Sequence, residues 1–595
     1  MNHRILQELF EAAAVEHAER PAVITAAKSV NYAELNARAN RIAWTLKEAG
    51  LQPGGIVALV FDSSIEYICA LLGVLKTGCA FMPIPRNIPA PRLAKVFSHT
   101  RPGALIGSAT EADLLCTLLE DLPLPVPVTV LLDHQGQPEI HGKEPGQPAI
   151  TLAHDNPPSL ATADAGAYVI FTSGSTGEPK IILGVQKSLC HFLHWERQEF
   201  ALDASLRTLS LAPPTFDVSL RDLLLPLSCG GAVCIPDPAV RQNIPALVRF
   251  VRAHGVNLIH CVPSLFREIT RHLVADDPTG FAGVNHLLLA GEPLYGADVI
   301  RFREGTEGAT ELVNLYGPSE TTLAKLFFRI GDEPLAPGQI VPVGRPINNT
   351  AALLLKNGRL CKIGEVGEIH IKTPYRSGGY LGAEELNAQV FIQNPLSDTP
   401  DIIYKTGDMG RYRPDRAVDF IGRLDRQVKL RGHRVELPEV EQAVAAIDTV
   451  RQVYVATHLR EGLVDGLICY FTADTTLETA QLSASLQGNL PDYMIPAIFL
   501  QLEKFPLNLH GKVDPQRLPK PEALLYQQDA YVPPQTATEK QLAALFATTL
   551  GLERISVDSS LLAAGANSLT MIKLAGSLYR ELGVNVDIAT IFAKP

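Results

Sequence analysis

The chain has 595 residues, which is too long for one hydrophobic core and predicts three or more compact units. Its formal net charge of −11 argues against non-specific binding to nucleic acid. No apolar run reaches the length of about 18 residues that a membrane-spanning helix needs. The start lacks the apolar region of a signal peptide, and the nine cysteines include no CxxC pair, so we expect reduced thiols and a cytoplasmic location.

Residues 1 to about 150 alternate between helix-like and strand-like segments, which predicts a layered α/β domain. Apolar spacing predicts helices at 5–17, 31–49 and 65–76, and short apolar runs predict strands at 21–24 and 57–61. Residues 123–158 are rich in Pro, Gly and Gln, which predicts a surface connection.

A short apolar run at 167–170 predicts a strand, and the sequence TSGSTGEPK follows it at 172–180. Glycine lets the main chain approach a ligand closely, so that successive N–H groups and hydroxyls can hold phosphate oxygens while Lys180 adds charge. The alternative is a flexible Ser/Gly linker, but linkers seldom end in Pro-Lys beside a buried strand.

This stretch closely resembles the phosphate-loop signature of the adenylate-forming superfamily, which includes acyl-CoA synthetases, luciferases and the adenylation domains of nonribosomal peptide synthetases. It departs at Ile181, where the family usually has glycine. The resemblance implies an ATP-binding loop formed by Thr172, Ser173, Gly174, Ser175, Thr176, Gly177 and Lys180.

An aspartate stands inside the apolar segment 213–219, where a buried carboxylate is costly unless it is paired. Asp217 is either the N-cap of a helix or a ligand-binding group. The segment resembles the FDxS motif of peptide-synthetase adenylation domains, in which the aspartate binds the α-ammonium group of an amino acid. Asp217 therefore favours an amino acid over a fatty acid as substrate.

The stretch NLYGPSETT at 314–322 resembles another motif of the family. The resemblance implies that Tyr316 stacks on adenine and that Glu320 holds Mg²⁺, and it adds Asn314, Gly317 and Ser319 to the nucleotide-binding set. The sequence TGD at 406–408 implies that Asp408 accepts hydrogen bonds from the ribose hydroxyls.

Residues 422–437 resemble the family's hinge motif, with Arg423 in the nucleotide-binding set and Asp425 as the hinge. The resemblance implies an α/β large domain of the adenylate-forming type at 1–424 and a small, mobile α+β domain at 425–525. Lys512, within the sequence LHGKVD, is the lysine expected to bridge the substrate carboxylate and the α-phosphate. Lys512, Asp408 and Glu320 are therefore the expected catalytic residues.

A linker at 526–536 and a helix at 537–550 precede the sequence AAGANSL at 563–569. This segment resembles a peptidyl carrier domain, an α-helical bundle expected at 537–595, with 4′-phosphopantetheine attached to Ser568. Ala566 and Asn567 depart from the usual Gly and His or Asp, and the alternative is an ordinary Asn-Ser helix cap. The sequence stops before the family's last carrier helix, which indicates a longer parent protein.

Motif alignment with the family gives a set of positions that line the amino-acid pocket: Asp217, Val218, Arg221, His260, Leu288, Ala290, Leu315, Leu323 and Ala324, with Lys512 completing it. The set resembles a serine-type pocket but departs at Arg221, where an aromatic residue is usual. A buried guanidinium needs an anion. The substrate is therefore either a small amino acid with an acidic or phosphorylated side chain, or serine, alanine or another small residue with Arg221 turned away.

These resemblances, in family order along nearly the whole chain, imply an initiation or stand-alone module of adenylation and carrier domains. An amino acid and ATP·Mg²⁺ would give aminoacyl-AMP, which the pantetheine thiol on Ser568 would accept as a thioester. Expected partners are a phosphopantetheinyl transferase, downstream synthetase or tailoring enzymes, and an MbtH-like activator as a further candidate. The alternatives are an acyl-CoA or aryl ligase and a catalytically silent carrier scaffold.

Overall fold

A computed structural model describes residues 5–111, 126–133, 136–140, 155–172, 179–430, 432–460, 463–506, 513–519, 532–550, 554–558 and single positions between 561 and 586. The chain divides into two compact units. The first comprises Met1–Thr172, Pro179–Asp237 and Val248–Asp425, and the second consists mainly of Arg426–Pro595. The main boundary thus lies between Asp425 and Arg426.

The helices of the described residues, in chain order, are α1 Leu6–Glu16, α2 Tyr32–Glu48, α3 Ile65–Lys76, α4 Ala90–Thr100, α5 Gln186–Glu199, α6 Val218–Leu227, α7 Pro238–Arg241, α8 Ile244–His254, α9 Pro263–Asp276, α10 Gly296–Gly305, α11 Glu384–Val390, α12 Leu437–Ala445, α13 Thr479–Gln487 and α14 Ala537–Leu550.

The strands of the described residues are β1 Pro21–Thr25, β2 Ser29–Asn31, β3 Ile56–Val60, β4 Ala80–Pro83, β5 Ala104–Ser108, β6 Thr129–Leu132, β7 Pro138–Ile140, β8 Gly166–Thr172, β9 Lys180–Val185, β10 Arg207–Leu209, β11 Ala232–Ile235, β12 Leu258–Cys261, β13 His286–Ala290, β14 Glu311–Tyr316, β15 Leu326–Arg329, β16 Arg345–Pro346, β17 Ala351–Lys356, β18 Arg359–Leu360, β19 Val366–Lys372, β20 Phe391–Gln393, β21 Ile402–Tyr412, β22 Val418–Arg423, β23 Gln427–Leu430, β24 His433–Glu436, β25 Val450–Arg460, β26 Leu463–Ala473 and β27 Ile498–Gln501.

Three sheets build the described part of the first unit. A nine-stranded sheet runs in the order β16-β15-β14-β13-β12-β10-β11-β1-β2, and a seven-stranded sheet runs in the order β7-β6-β5-β3-β4-β8-β9. The six-stranded sheet has the order β18-β17-β19-β21-β20, with β22 paired to β21. Strands β10 to β14 are parallel, and helices separate most of them in sequence, as the α/β alternation predicted.

Continuous apolar runs explain the central strands of the nine-stranded sheet. Leu287, Leu288 and Leu289 of β13 are all fully buried, which is typical of a parallel strand covered on both faces. The predicted helix 65–76 has the bounds of α3, and Ser64 caps it by accepting a hydrogen bond from the Tyr67 amide. Local sequence signals therefore place these elements correctly.

The prediction of a surface connection at 123–158 is wrong in part. Strand β6 pairs in parallel with β5, and β7 pairs antiparallel with β6, so this stretch extends the seven-stranded sheet. Val130 and Leu132 of β6 are buried in the core. The apolar run 130–132 is short and is flanked by segments rich in Pro and Gly, so it carries no strand signal in the sequence. Pairing with β5 and burial in the core make it a strand.

The second unit contains a three-stranded sheet in the order β25-β26-β27 and a separate β23-β24 hairpin. Its apolar core includes Val455, Leu467 and Phe471 of the sheet and Leu482 and Leu486 of α13. Further along the chain, α14 has the predicted bounds 537–550, and its apolar side chains pack with Met571 and Leu574. The described part of this unit thus combines an α+β core with a helical segment.

Two global expectations can be compared with the fold. No helix of the described residues is long and apolar enough to cross a membrane. The cysteines of the described residues are free thiols, and most of them are buried. This distribution agrees with reduced cysteines that fill the core.

Candidate active site

Four of the predicted pocket positions lie on one face of the nine-stranded sheet. The parallel register pairs His260 with Leu288 and Ala290 with Leu315 on neighbouring strands. Paired residues of parallel strands point to the same side, and residues two apart on one strand share a face. The sheet therefore brings His260, Leu288, Ala290 and Leu315 together, although 55 positions separate the first from the last.

Asp217 occupies the N-cap position of α6, but its side chain makes no capping hydrogen bond. The carboxylate is 8% exposed and instead accepts a hydrogen bond from the Ser319 hydroxyl. Burial raises the pKa of the Asp217 carboxyl, while the Ser319 hydrogen bond and the positive charge of Arg221 lower it. This buried carboxylate is thus not used to cap the start of α6 and is available to a cationic ligand group.

Arg221 lies one helical turn after Asp217, so the two residues share a face of α6. It is 3% exposed, and among the described residues its Nε has no hydrogen-bond partner. Its charge acts on Asp217 and on the Cys261 thiol at the end of β12. The guanidinium therefore lies between the start of α6 and the carboxyl end of the sheet.

His260 is held by two buried carboxylates. Its Nδ1 lies 2.7 Å from Asp222 Oδ1, and its Nε2 lies 2.8 Å from Glu196 Oε1. Each ring nitrogen therefore lies within hydrogen-bond distance of one carboxylate oxygen. Both nitrogens of this predicted pocket residue are thus used within the protein, and His260 joins α5, α6 and β12 in one buried network.

The turn that carries Leu323 and Ala324 has an unusual backbone. Thr322 and Leu323 have φ values of 65° and 57°, which non-glycine residues adopt at a cost. Gly317 permits the close approach of this turn, because a Cβ there would lie 2.2 Å from the Leu323 carbonyl oxygen. The Lys325 side chain, which is fully buried, donates to the Thr322 carbonyl over 2.8 Å. These contacts fix the turn beside the pocket.

Glu320 lies in the short helical turn Ser319–Thr321 and is fully buried. The Tyr380 hydroxyl donates to its Oε1 at 2.5 Å, and the Ser377 amide donates to its main-chain carbonyl. Mg²⁺ is commonly bound by one or two carboxylates together with phosphate oxygens, so this carboxylate fits the ion. Among the described residues, no cluster of three or more His, Cys, Asp or Glu side chains could hold a metal by itself.

A second cluster surrounds Asp408 in β21. The Tyr316 hydroxyl donates to Asp408 Oδ2, and Arg423 Nη1 donates to Oδ1, each at 2.5 Å. Arg423 in turn forms a two-pronged ion pair with Asp425, with N···O distances of 2.7 and 2.8 Å. Burial raises the pKa of the Tyr316 hydroxyl well above its usual value, so it remains a donor. The three residues predicted from separate motifs therefore form one network.

The phosphate loop is described only at its two ends. Thr172 of β8 pairs with Lys180 of β9, so the ends of the loop lie side by side. Residues 173–177 lie outside the described residues, as do Lys512 and Ser568. The Asn314 side-chain amide donates to the carbonyls of Val341 and Pro342. In this structure Asn314 therefore holds the neighbouring main chain in place.

Sequence reasoning missed several groups that the fold brings to the site. Tyr380 reaches Glu320 across 60 positions, and Glu196 and Asp222 reach His260 across 64 and 38. Tyr380 lies in the stretch GEVGEIHIKTPYRSGGYLG at 364–382, a further resemblance to the family that could have pointed to it. Glu196 and Asp222 carry no local signal, because a single acidic residue on a helix usually faces solvent.

Two protein families match the chain. Residues 10–381 match the family described as AMP-binding enzyme, and residues 540–595 match the phosphopantetheine attachment site. The first match covers more than half of the 595 residues.

Relatives and solved structures agree with these two family matches. The chain is 33% identical over 594 residues to a dimodular nonribosomal peptide synthase of Bacillus subtilis (strain 168), with 99% of this chain and 24% of the relative covered. It is 32% identical to tyrocidine synthase 3 of Brevibacillus parabrevis, with 100% of this chain and 9% of the relative covered. The chain thus spans a quarter or less of these two proteins.

Among solved structures, the chain resembles holo-PA1221, an NRPS protein containing adenylation and PCP domains bound to a vinylsulfonamide inhibitor. The TM-score is 0.81 and the identity 26%, with 98% of this chain and 93% of that chain covered. An artificially fused adenylation–PCP protein from Klebsiella oxytoca has a TM-score of 0.69 at 22% identity, with 83% and 93% covered. These likenesses confirm the predicted fold class.

Proposed function

The chain belongs to the family of AMP-binding enzymes, and we propose that it uses ATP to activate an amino acid and passes the aminoacyl group to its own carrier domain. The family matches confirm the predicted class, an adenylate-forming ligase joined to a phosphopantetheine carrier domain. They also confirm the predicted cofactors, which are ATP, Mg²⁺ and 4′-phosphopantetheine. The amino-acid substrate, the roles of individual residues and the predicted domain limits are proposals.

The buried carboxylate of Asp217 is the main observation that supports an amino acid as the substrate. It stands at the start of α6 beside the sheet face that holds His260 and Leu288, yet it does not cap the helix. A buried carboxylate is stable when a cation pairs with it. The α-ammonium group of an amino acid supplies that cation, whereas a fatty or aryl acid supplies none.

In the first step, a carboxylate oxygen of the amino acid forms a bond to the α-phosphorus of ATP, and the bond to pyrophosphate breaks. Asp217 binds the ammonium group and thereby orients the attacking carboxylate. Asp408 accepts hydrogen bonds from the ribose hydroxyls in addition to those from Tyr316 and Arg423, because each carboxylate oxygen has two lone pairs. Lys512 is predicted to stabilise the charge that builds up between the two reactants. Mg²⁺ at Glu320 would neutralise charge on the phosphates.

In the second step, the aminoacyl group moves from AMP to sulfur. The 4′-phosphopantetheine on Ser568 supplies the thiol, which forms the bond to the acyl carbon while AMP leaves. Asp425 is the proposed hinge between the two steps, since one site must exclude water first and admit a thiol later. No cysteine or serine nucleophile of the first unit is required.

The partners follow from this chemistry. A phosphopantetheinyl transferase must modify Ser568, and downstream synthetase or tailoring enzymes must consume the thioester. An MbtH-like activator is a further candidate partner. The cytoplasmic location also stays a prediction.

The direct test is the intact mass of the phosphopantetheinylated protein after incubation with ATP and a pool of amino acids. A mass gain above the pantetheine adduct, equal to one aminoacyl group, is expected. Ser568→Ala should remove the adduct and the gain together. Asp217→Asn should keep the adduct and lose the gain, because the α-ammonium group then faces a neutral side chain.

Two results would contradict the proposal. Absence of a pantetheine adduct on Ser568 would remove the carrier role and favour an acyl-CoA or aryl ligase, which turnover of free CoA would reveal. Absence of pyrophosphate exchange with every amino acid, in the presence and absence of an MbtH-like protein, would favour the catalytically silent carrier scaffold.

A further inference from the structure

The first turn of α6 presents two opposite charges to the pocket end of the sheet. Asp217 and Arg221 are four positions apart, so their Cβ atoms lie about 6 Å from each other on one face of the helix. Both side chains are buried, at 8% and 3% exposure. A ligand that reaches both must therefore carry a cation and an anion a short distance apart.

Arg221 forms no ion pair within 4 Å among the described residues, although its charge acts on Asp217 four positions before it. Its Nε has no hydrogen-bond partner there. The neighbouring acids have other partners, since Asp222 binds His260 and Asp217 accepts from Ser319. A guanidinium has five N–H donors, and burying it without an anion costs several kcal/mol.

The rest of the pocket offers little to a neutral polar side chain. Leu288, Ala290, Leu323 and Ala324 are apolar, and both nitrogens of His260 are held by carboxylates. Specific recognition of serine would require a hydrogen-bonding group aimed at its hydroxyl. Apart from Asp217, the guanidinium of Arg221 is therefore the polar side chain among these described pocket positions that can read the substrate side chain.

We propose that the pocket selects an amino acid with a short anionic side chain, whose negative group pairs with Arg221 while Asp217 holds the α-ammonium group. This inference rests on the proposed activation of an amino acid. The planar guanidinium matches a carboxylate with two parallel hydrogen bonds, so aspartate is the first candidate. A phosphate or sulfonate on a side chain of similar length shares the same chemistry.

The test is ATP–pyrophosphate exchange with matched amino-acid pairs: aspartate against asparagine, and O-phosphoserine and cysteic acid against serine. The wild-type protein should prefer the anionic member of at least one pair by about 30-fold or more in kcat/KM, the lower end expected for one partner of a buried charge pair. The preferred pair distinguishes a carboxylate from a phosphate or sulfonate.

Arg221→Met keeps most of the side-chain volume and should abolish this preference, so that kcat/KM for the anionic member falls to or below that for its neutral partner. Arg221→Lys should retain part of it, because the charge remains but the two-pronged geometry is lost. Arg267→Met is the matched control, since Arg267 is another buried arginine, ion-paired to Asp298 on α10. Its loss should leave the preference unchanged.

The outcomes separate the inference from the proposed function. Exchange that favours neutral amino acids in both the wild type and Arg221→Met overturns the anionic preference and leaves amino-acid activation standing. An anionic preference that survives in Arg221→Met overturns the role of Arg221. No exchange with any amino acid, with or without an MbtH-like protein, overturns the proposed function and this inference with it.

Discussion

At the scale of single residues, Asp408 links two other members of the proposed nucleotide site. It accepts hydrogen bonds from the Tyr316 hydroxyl and the Arg423 guanidinium, and both donors were assigned to the nucleotide from other motifs. Gly407 makes room for this arrangement, because a Cβ there would lie 2.9 Å from Arg423 Nη2. A change at Asp408 therefore affects all three residues.

Asp408→Asn should raise the KM for ATP about tenfold or more, the effect expected when a hydrogen bond to a charged group is lost. The amide replaces an acceptor oxygen with a donor that faces Tyr316 or Arg423. The measurement is the ATP dependence of pyrophosphate exchange. Asp419→Asn serves as the control, because it removes an ion pair to Arg411 on the same two strands, and an equal rise there would contradict a specific role of Asp408.

Lys325 predicts a pH-dependent stability. Burial lowers the pKa of this fully buried lysine from 10.5 to about 7. Nearby His191 has its pKa lowered to about 4, first by burial and then by the charge of Lys325, so it stays neutral over this range. Between pH 7 and 10.5 the folded protein thus carries a neutral Lys325 and the unfolded chain a charged one.

The free energy of unfolding of the wild type should therefore rise with pH above 7, since the unfolded state binds more protons. Relative to Lys325→Met, it should gain about 2 kcal/mol between pH 7 and pH 9. Urea midpoints of the two proteins at both pH values measure this difference. A difference that does not change with pH would show that Lys325 is charged in the folded protein throughout.

At the scale of elements, the connection from β14 to β15 joins the nucleotide and substrate sites. Tyr316 ends β14, the turn continues through Glu320 and Leu323, and the Lys325 amide donates back to the Tyr316 carbonyl over 2.7 Å. Gly317 lies where the two ends of this connection approach each other. Both proposed sites therefore depend on one tight loop.

Gly317→Ala should destabilise the protein by about 1–3 kcal/mol, because the new Cβ meets main-chain atoms that cannot move aside. It should also raise the KM values for ATP and for the amino acid together. Gly331→Ala is the matched control, since a Cβ there has no atom within 4 Å. A change in only one of the two KM values would contradict the coupling of the sites through this loop.

At the scale of the whole molecule, the boundary between the two compact units falls beside Asp425, the predicted hinge. Asp425→Pro should leave pyrophosphate exchange intact, while transfer to the carrier should slow by about 100-fold, the cost of misplacing reacting groups by about an ångström. Exchange and thioester formation are measured on the same preparation.

Asp425→Ala is the control for this experiment. It also removes the ion pair with Arg423, but it keeps a freely rotating backbone at the hinge. Equal losses of transfer in both variants would assign the effect to the ion pair and contradict the hinge.

The sequence alone determined the order of the motifs, the α/β class and most of the early helices and strands. These features depend on neighbouring residues: apolar spacing predicts α3, and Asn31 caps α2 through a hydrogen bond three positions away. By resemblance to the family, the sequence also predicted Tyr316, Asp408 and Arg423 as nucleotide-binding residues. The sequence did not predict strand β6, because its short apolar run lies among Pro and Gly residues.

Only the tertiary structure decided which of these residues meet. The strand register places His260 and Leu288 side by side, and packing brings Glu196 to His260 and Tyr380 to Glu320 across about 60 positions. It also buried Lys325 and left the Nε of Arg221 without a partner among the described residues. Such contacts join side chains that are far apart in the sequence, so the local sequence pattern does not predict them. They form because a close-packed interior allows few arrangements that satisfy its buried polar groups.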